Sequence, residues 1–135
     1  MKLTKSQRED LRNMFDGRCA YCGCPLGEKW HADHVVAVRR DGYYESGKWK
    51  LNGKMERPEN DQLRNLFPAC IACNLLKSTT SVEDFRKTIQ HICITISSEG
   101  SHIRHLLRFG KCRIDATPVV FYFESYGNER TGAGG

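Results

Sequence analysis

Two Cys-x-x-Cys pairs, about 50 residues apart, constrain the fold of this 135-residue chain more than any other feature. The first pair is Cys19 and Cys22, in "CAYC", and the second is Cys70 and Cys73, in "CIAC". This spacing lets each pair present two thiolates to one tetrahedral Zn²⁺. The sequence therefore predicts a structural zinc site that joins two distant segments.

The number of cysteines and the predicted compartment favour a metal site over a disulfide framework. An odd number of cysteines, seven, cannot pair completely, and no apolar stretch is long enough for a signal peptide or a membrane span. We therefore predict a cytoplasmic protein with reduced thiols. Cys24 lies close enough to Cys22 to compete as a ligand, whereas Cys93 is interpreted as a core residue of a helix. A redox role for the Cys-x-x-Cys pairs would need a βαβ context, which the sequence does not indicate.

Length and patterning predict one α+β domain over residues 1–135. The expected parts are an N-terminal helix at about 6–15, a core at about 19–86, a helical and strand extension at about 87–126, and a loose tail at 127–135. Within the core, "HADHVVAV" and "LRNLFPAC" are predicted to be extended, and "IACNLLKS" to start a helix. The segment "TPVVFYFESY" in the extension predicts a C-terminal β-strand, because it is rich in aromatic and β-branched residues.

Positive charge is concentrated locally. The formal net charge of +5 favours polyanionic partners, and the chain from Ser101 to Arg113 contains several basic residues and no acid. Such a run is typical of a solvated helix face and equally of a phosphate-contacting surface, so the sequence leaves both interpretations open.

The residues between and after the cysteine pairs follow a demanding order. Asp33-His34 follows the first pair, Asn65 stands five residues before the third cysteine, and Asn74 follows the fourth cysteine directly. Over about residues 19–86 this order resembles the HNH endonuclease family, the ββα-metal nucleases, in the zinc-bearing form common in phages and bacteria. The resemblance implies a ββα-metal core stapled by the four cysteines.

The resemblance also implies a reaction, the metal-dependent hydrolysis of phosphodiester bonds in DNA. His34 would be the general base, Asn65 would orient the histidine loop, and Asp33 with Asn74 would hold one catalytic divalent ion. Because Asn74 stands where many members have a second histidine, the ligands are all oxygens, which favours Mg²⁺ or Mn²⁺. An ideal strand would point Asp33 and His34 to opposite faces, so the family geometry requires a bend there. His31 is interpreted as a supporting or surface histidine.

DNA, expected to be double-stranded, is the implied partner, and phage packaging (terminase) proteins are further candidates in a bacterial or phage-infected cell. The segment from Val35 to Arg64 is long for the family and would be either a solvated loop, partly hairpin-like, or a DNA-contacting excursion. The alternative function is a catalytically weak, zinc-stabilised DNA-binding or packaging-accessory module. The expected DNA contacts are the basic residues Arg39, Arg40, Lys77, Arg86, Arg104 and Arg108.

Overall fold

Within residues 1–132, which the computed structural model describes, with side chains described as far as Gly127, helices and strands are mixed along the chain. The predicted α+β class is therefore confirmed. None of the helices in this part of the chain is both long and apolar enough to cross a membrane. The elements in order are α1 (Lys5–Asn13), β1 (His31–His34), β2 (Arg40–Glu45), β3 (Lys48–Met55), β4 (Leu66–Ala69), α2 (Ile71–Lys77), α3 (Val82–Glu99), α4 (Ser101–Arg108) and α5 (Tyr122–Gly132).

The strands form two separate antiparallel pairs. β1 pairs with β4 in a register that runs from His31 opposite Ala69 to His34 opposite Leu66. β2 pairs with β3, so the predicted hairpin-like loop is an ordered two-stranded ribbon. The predicted extended segments at β1 and β4 and the predicted helices at α1 and α2 are confirmed.

Aromatic rings fill the core beneath β4. Phe15, at the end of the first helical segment, meets Phe67 of β4 edge to face with ring centroids 5.3 Å apart. Tyr21 of the first cysteine turn meets Phe121 at 5.5 Å, and Phe67 meets Phe123 at 5.0 Å. Such contacts stabilise a small core by more than the burial of the aromatic surface alone would. The cysteine turn, β4 and the C-terminal segment are thus held to one another by aromatic packing.

The predicted C-terminal β-strand is wrong, because the chain from Tyr122 onward is α5. The amide groups of Tyr122 and Phe123 donate to the carbonyls of Tyr21 and Ala20, and the Glu124 carboxylate accepts from the amide of Phe121. These bonds satisfy donors that the first turn of a helix leaves free. Of the predicted loose tail, residues 127–132 continue α5, and residues 133–135 lie outside the described residues.

The chain divides into two compact units, and the prediction of a single domain stays a prediction. The first unit comprises Met1–Val82 and the chain from Phe121 onward, and the second is Glu83–Val120. The second unit contains most of α3 and all of α4, whose helical character the sequence predicts. Inside it, the Arg86 guanidinium bonds the Val119 carbonyl, and the Cys93 thiol lies 3.6 Å from the Asp115 carbonyl.

Candidate functional site

Four cysteine sulfurs from the two pairs converge in the first unit. The sulfurs of Cys19, Cys22, Cys70 and Cys73 all lie within 4.8 Å of one another, and those of Cys22 and Cys70 are 3.8 Å apart. Zn–S bonds of about 2.3 Å at tetrahedral angles separate sulfurs by about 3.8 Å. The four thiols can therefore hold a metal ion such as zinc, as the sequence predicts.

Local backbone geometry explains why the sulfurs converge. In the first turn, the Cys19 amide donates to the Cys24 carbonyl at 2.8 Å and the Gly23 amide to the Cys19 carbonyl at 3.0 Å. Gly23 has a φ of +77°, a backbone conformation that residues other than glycine rarely adopt. In the second pair, Cys70 caps α2, and its sulfur accepts from the Cys73 amide at 3.4 Å. The start of α2 thus places Cys70 and Cys73 on one turn of backbone, with their sulfurs toward the same point.

The electrostatics of the cluster favour a cation. The hydrogen bond from Cys73 lowers the pKa of Cys19 to about 4, and the same bond raises the pKa of Cys73. Burial raises the pKa of Cys22. The protein groups alone thus favour the thiolate at Cys19 and the protonated thiol at Cys22 and Cys73. A divalent cation would supply the charge that lets all four thiols deprotonate.

Cys24 lies beside the cluster but is not one of the four mutually close sulfurs. Burial, followed by its interactions with Cys22 and Cys70, raises the pKa of its thiol to about 12. A protonated thiol is a poor metal ligand. This geometry favours the four paired cysteines over Cys24 as ligands.

A cavity of about 380 Å³ in the first unit collects most of the residues that the resemblance assigns to catalysis. His31, Asp33 and His34 of β1 line it, together with Asn74 of α2. β1 pairs regularly with β4 through His34, yet both Asp33 and His34 reach this cavity. Its remaining lining residues are Ala32, Ala37, Val38, Arg39, Arg40, Ser78 and Thr79.

Asp33 is buried and bonded on one oxygen. Its Oδ2 accepts from the Tyr21 hydroxyl at 2.6 Å and lies 3.2 Å from Nζ of Lys77. The Lys77 ammonium also donates to the backbone carbonyl of His34 at 3.1 Å, and this side chain is completely buried. Lys77 as a DNA contact is therefore wrong, because a fully buried ammonium cannot reach a phosphate. It is a bridge between α2 and β1.

His34 is held by a carboxylate that the sequence analysis does not identify. Its Nε2 lies 2.8 Å from Oδ1 of Asp61, and the other carboxylate oxygen, Oδ2, accepts from the Met1 amino group at 2.5 Å. The Met1 amino group and the His34 imidazole hold the pKa of Asp61 below its usual range. An ionised carboxylate only accepts hydrogen bonds, so Nε2 of His34 is the donor in this contact.

Asn65 holds the segment that follows His34. Its side-chain amide donates to the carbonyl of Val36 at 2.8 Å and to that of Asn60 at 2.7 Å, and its oxygen accepts from the Val36 amide at 3.0 Å. Its backbone carbonyl accepts from the Val35 amide at 2.9 Å. Three of these four bonds join Asn65 to Val35 or Val36, directly after His34, and the fourth joins it to Asn60. Asn65 therefore fixes the histidine loop, the segment that follows His34.

The cavity is lined by two residues with side-chain oxygen donors, Asp33 and Asn74. Asp33 supplies a carboxylate and Asn74 an amide oxygen, and Mg²⁺ commonly takes one or two protein oxygens and completes its shell with water and phosphate. Both contacts of Asp33 fall on Oδ2, so a ligand role would fall to Oδ1. The neighbouring Lys77 ammonium would weaken the binding of such an ion by electrostatic repulsion.

The other predicted DNA contacts lie in two places. Arg39 and Arg40 are exposed at the cavity. Arg86, Arg104 and Arg108 belong to the second unit. There the Arg86 guanidinium pairs with Glu83 at 3.1 Å, whereas Arg104 and Arg108 are exposed on α4.

Sequence reasoning missed Tyr21 and Asp61. Tyr21 lies inside the first Cys-x-x-Cys pair, and burial, followed by the charge of Asp33, raises the pKa of its hydroxyl. A signal for Asp61 was available, since an acid four residues before Asn65 can fold back toward the histidine loop that Asn65 fixes.

Comparisons of the chain with protein-family models, with curated proteins and with solved structures find no match.

Proposed function

We propose that this chain is a metal-dependent DNA endonuclease that hydrolyses phosphodiester bonds with a histidine general base and one divalent ion. The observation that carries the proposal is the shared cavity, which Asp33, His34 and Asn74 line together although Asn74 is 40 residues further along the chain. The resemblance of the sequence to HNH nucleases requires these three side chains in one site.

The architecture around the cavity supports the same proposal. β1 and β4 form an antiparallel pair, and α2 follows β4 after a single residue. This β-β-α order, with cysteines before β1 and at the start of α2, is what a zinc-stapled ββα-metal core would require. The ribbon of β2 and β3 is inserted between the two strands.

The chemistry of the residues is suited to phosphodiester hydrolysis. With Nε2 bonded to Asp61, the His34 imidazole would take a proton from water at Nδ1, so that hydroxide attacks the phosphorus. Arg39 and Arg40 would attract the DNA phosphate to the cavity. A divalent ion held by Asp33 and Asn74 would supply positive charge to stabilise the phosphate and the leaving oxygen. Asn65 and Lys77 would keep the loop and strand of His34 in position.

One observation favours a second candidate, a zinc-stabilised DNA-binding module with little or no cleavage. The Asp33 carboxylate is already compensated by the Lys77 ammonium and the Tyr21 hydroxyl. A buried carboxylate with two such partners needs no additional cation for its stability. The fold would then keep Asp33 for structure alone.

A plasmid-cleavage assay separates the two candidates. Zinc-loaded protein is incubated with supercoiled plasmid and either Mg²⁺ or Mn²⁺, and nicked and linear products are measured. The endonuclease proposal predicts ion-dependent cleavage, which His34→Ala lowers by about 10²- to 10⁴-fold, the usual contribution of a general base. His31→Ala is the matched control, because His31 lines the same cavity and has no assigned step.

Three results would count against the endonuclease. Absence of cleavage by folded, zinc-loaded wild type with either ion would favour the binding module. Cleavage that survives in His34→Ala would remove the general-base assignment. Equal losses in His31→Ala and His34→Ala, with folding intact, would require a site redrawn around His31.

A further inference from the structure

The ribbon formed by β2 and β3 has no role in the chemistry described above. Its two strands are joined at Ser46 and Gly47, which both have positive φ, +51° and +75°. Two such residues form the turn whose twist matches that of a two-stranded hairpin. The ribbon is therefore an ordered arm with a defined direction.

Both faces of this arm are largely exposed, including aromatic side chains. Tyr44 is 74% exposed and Trp49 51% exposed, and these directly paired residues have ring centroids 5.0 Å apart. A Cβ on Gly42 would lie 2.7 Å from the Trp49 indole, so glycine is needed for the ring to lie over the strand. A two-stranded hairpin alone is only marginally stable in water, and exposed aromatic rings gain from being covered.

The charges of the arm indicate a polyanionic partner. Residues 39–56 contain five cations and three acids. Two of the acids are engaged within the arm, since Asp41 accepts from the Asn52 amide and Glu45 pairs with Lys50. Arg39, Arg40, Lys48 and Lys54 remain to attract phosphates, and exposed aromatic rings among cations are typical of nucleic-acid surfaces.

The arm is continuous with the candidate active site. β2 begins at Arg40, which lines the cavity together with Arg39 and His34. From Arg40 to Glu45 the strand spans about 17 Å at about 3.3 Å per residue. This length matches about five base pairs of DNA, which rise about 3.4 Å each. A duplex with a phosphate at the cavity can therefore run along the arm.

We propose that the β2–β3 ribbon is a DNA-binding arm. Its Tyr44–Trp49 face lies in a groove of the duplex beside the scissile phosphate, and its lysines contact the phosphates at the groove walls. B-DNA's major groove is wide enough for a two-stranded ribbon. This proposal rests on DNA as the substrate of the proposed endonuclease and adds the surface that binds it.

The test measures binding separately from cleavage. Affinity for a fluorescein-labelled 30-base-pair duplex is measured by anisotropy without Mg²⁺ or Mn²⁺, on zinc-loaded protein. The double variant Tyr44→Ala/Trp49→Ala should bind about tenfold or more weakly, because truncation of aromatic anchors at an interface commonly costs this much affinity. Tyr44→Phe/Trp49→Phe should retain most of the affinity, and Ile94→Ala, at a 75% exposed position in the second unit, should leave it unchanged.

Salt dependence and fluorescence provide further evidence. Lys48→Gln/Lys54→Gln should reduce the slope of log affinity against log salt concentration by about two, close to one per phosphate contact. The chain has two tryptophans, and Trp30 is buried. DNA should therefore change the emission of Trp49, and this change should disappear in Trp49→Phe.

Failure of this proposal differs from failure of the endonuclease. If the alanine double variant binds DNA within about twofold of wild type, or if wild type does not bind the duplex at all, the arm is not a DNA-binding surface. Wild type that binds through the arm but never cleaves plasmid would sustain the arm and overturn the endonuclease. Normal cleavage with unchanged affinity in the double variant would do the opposite.

Discussion

Replacement of Lys77 by methionine tests the bridge between α2 and β1. Methionine keeps most of the buried aliphatic volume and removes the ammonium. The variant loses the ion pair with Asp33 and the bond to the His34 carbonyl, at 3.2 Å and 3.1 Å in the structure. Asp33 would stay buried with the Tyr21 hydroxyl as its remaining partner.

The expected destabilisation is large. Removal of one partner from a buried ion pair costs about 3–5 kcal/mol, because the other charge is left uncompensated. For a chain of this size each kcal/mol lowers the melting temperature by roughly 3–5 °C, so a decrease of about 10–25 °C is expected. Tyr21→Phe should cost about 1.5–3 kcal/mol, the range for a hydrogen bond to a charged group.

The assay is urea unfolding followed by circular dichroism, with zinc in excess so that the cysteine site stays loaded. Lys29→Met, at an exposed lysine, is the matched control and should change the free energy of unfolding by less than about 0.5 kcal/mol. Combining Lys77→Met with Asp33→Asn should recover part of the loss, because the unpaired charge is then absent. A cost for Lys77→Met no larger than that for Lys29→Met would refute the account of a buried ion pair.

Two further predictions concern the metal centre and the histidine. Cys70→Ser should abolish stoichiometric zinc in elemental analysis and lower the melting temperature sharply, because the metal would link segments about 50 residues apart. The control Cys93→Ser should retain the zinc. Unchanged zinc content and melting temperature in Cys70→Ser would reject the cluster as a structural zinc site. Asp61→Asn should reduce kcat for DNA cleavage by about 10- to 100-fold with little change in KM, as expected when the hydrogen-bond partner that orients a functional histidine is removed. An equal effect on KM would indicate a general loss of structure instead.

The cluster of four cysteines could be predicted because the signal of each Cys-x-x-Cys pair is local. Each Cys-x-x-Cys turn presents two sulfurs whatever lies between the pairs, and Cys70 also begins a helix that the following residues favour. The resemblance to HNH nucleases likewise predicts that Asp33, His34 and Asn74 share a site, and these residues line one cavity. Each of these features contains a short motif that can be read from a sequence, although the motifs themselves are about 40 to 50 residues apart.

The two wrong predictions, the C-terminal strand and the DNA contact at Lys77, concern residues whose structure is set by tertiary contacts. "VVFYF" is typical of a strand, but Phe121 and Phe123 pack against Tyr21 and Phe67, and their segment begins a helix on the cysteine turn. Lysine is usually a surface residue, but Lys77 is buried, and its ammonium finds partners in Asp33 and the His34 carbonyl. No pattern within a single segment contains this information.

The ribbon closes on itself before the chain returns to the core. Beyond its strands, the Glu56 amide donates to the Arg39 carbonyl at 2.8 Å, so the two ends of the arm lie side by side. The β1–β4 pair therefore requires only that these ends meet, and doubling the length of a connecting segment costs only about 0.6 kcal/mol in closure entropy. Evolution, or a protein engineer, could lengthen, shorten or exchange this arm while the cysteine cluster and cavity keep their geometry. In the proposed endonuclease, the preference for a target could then change independently of the residues proposed for catalysis.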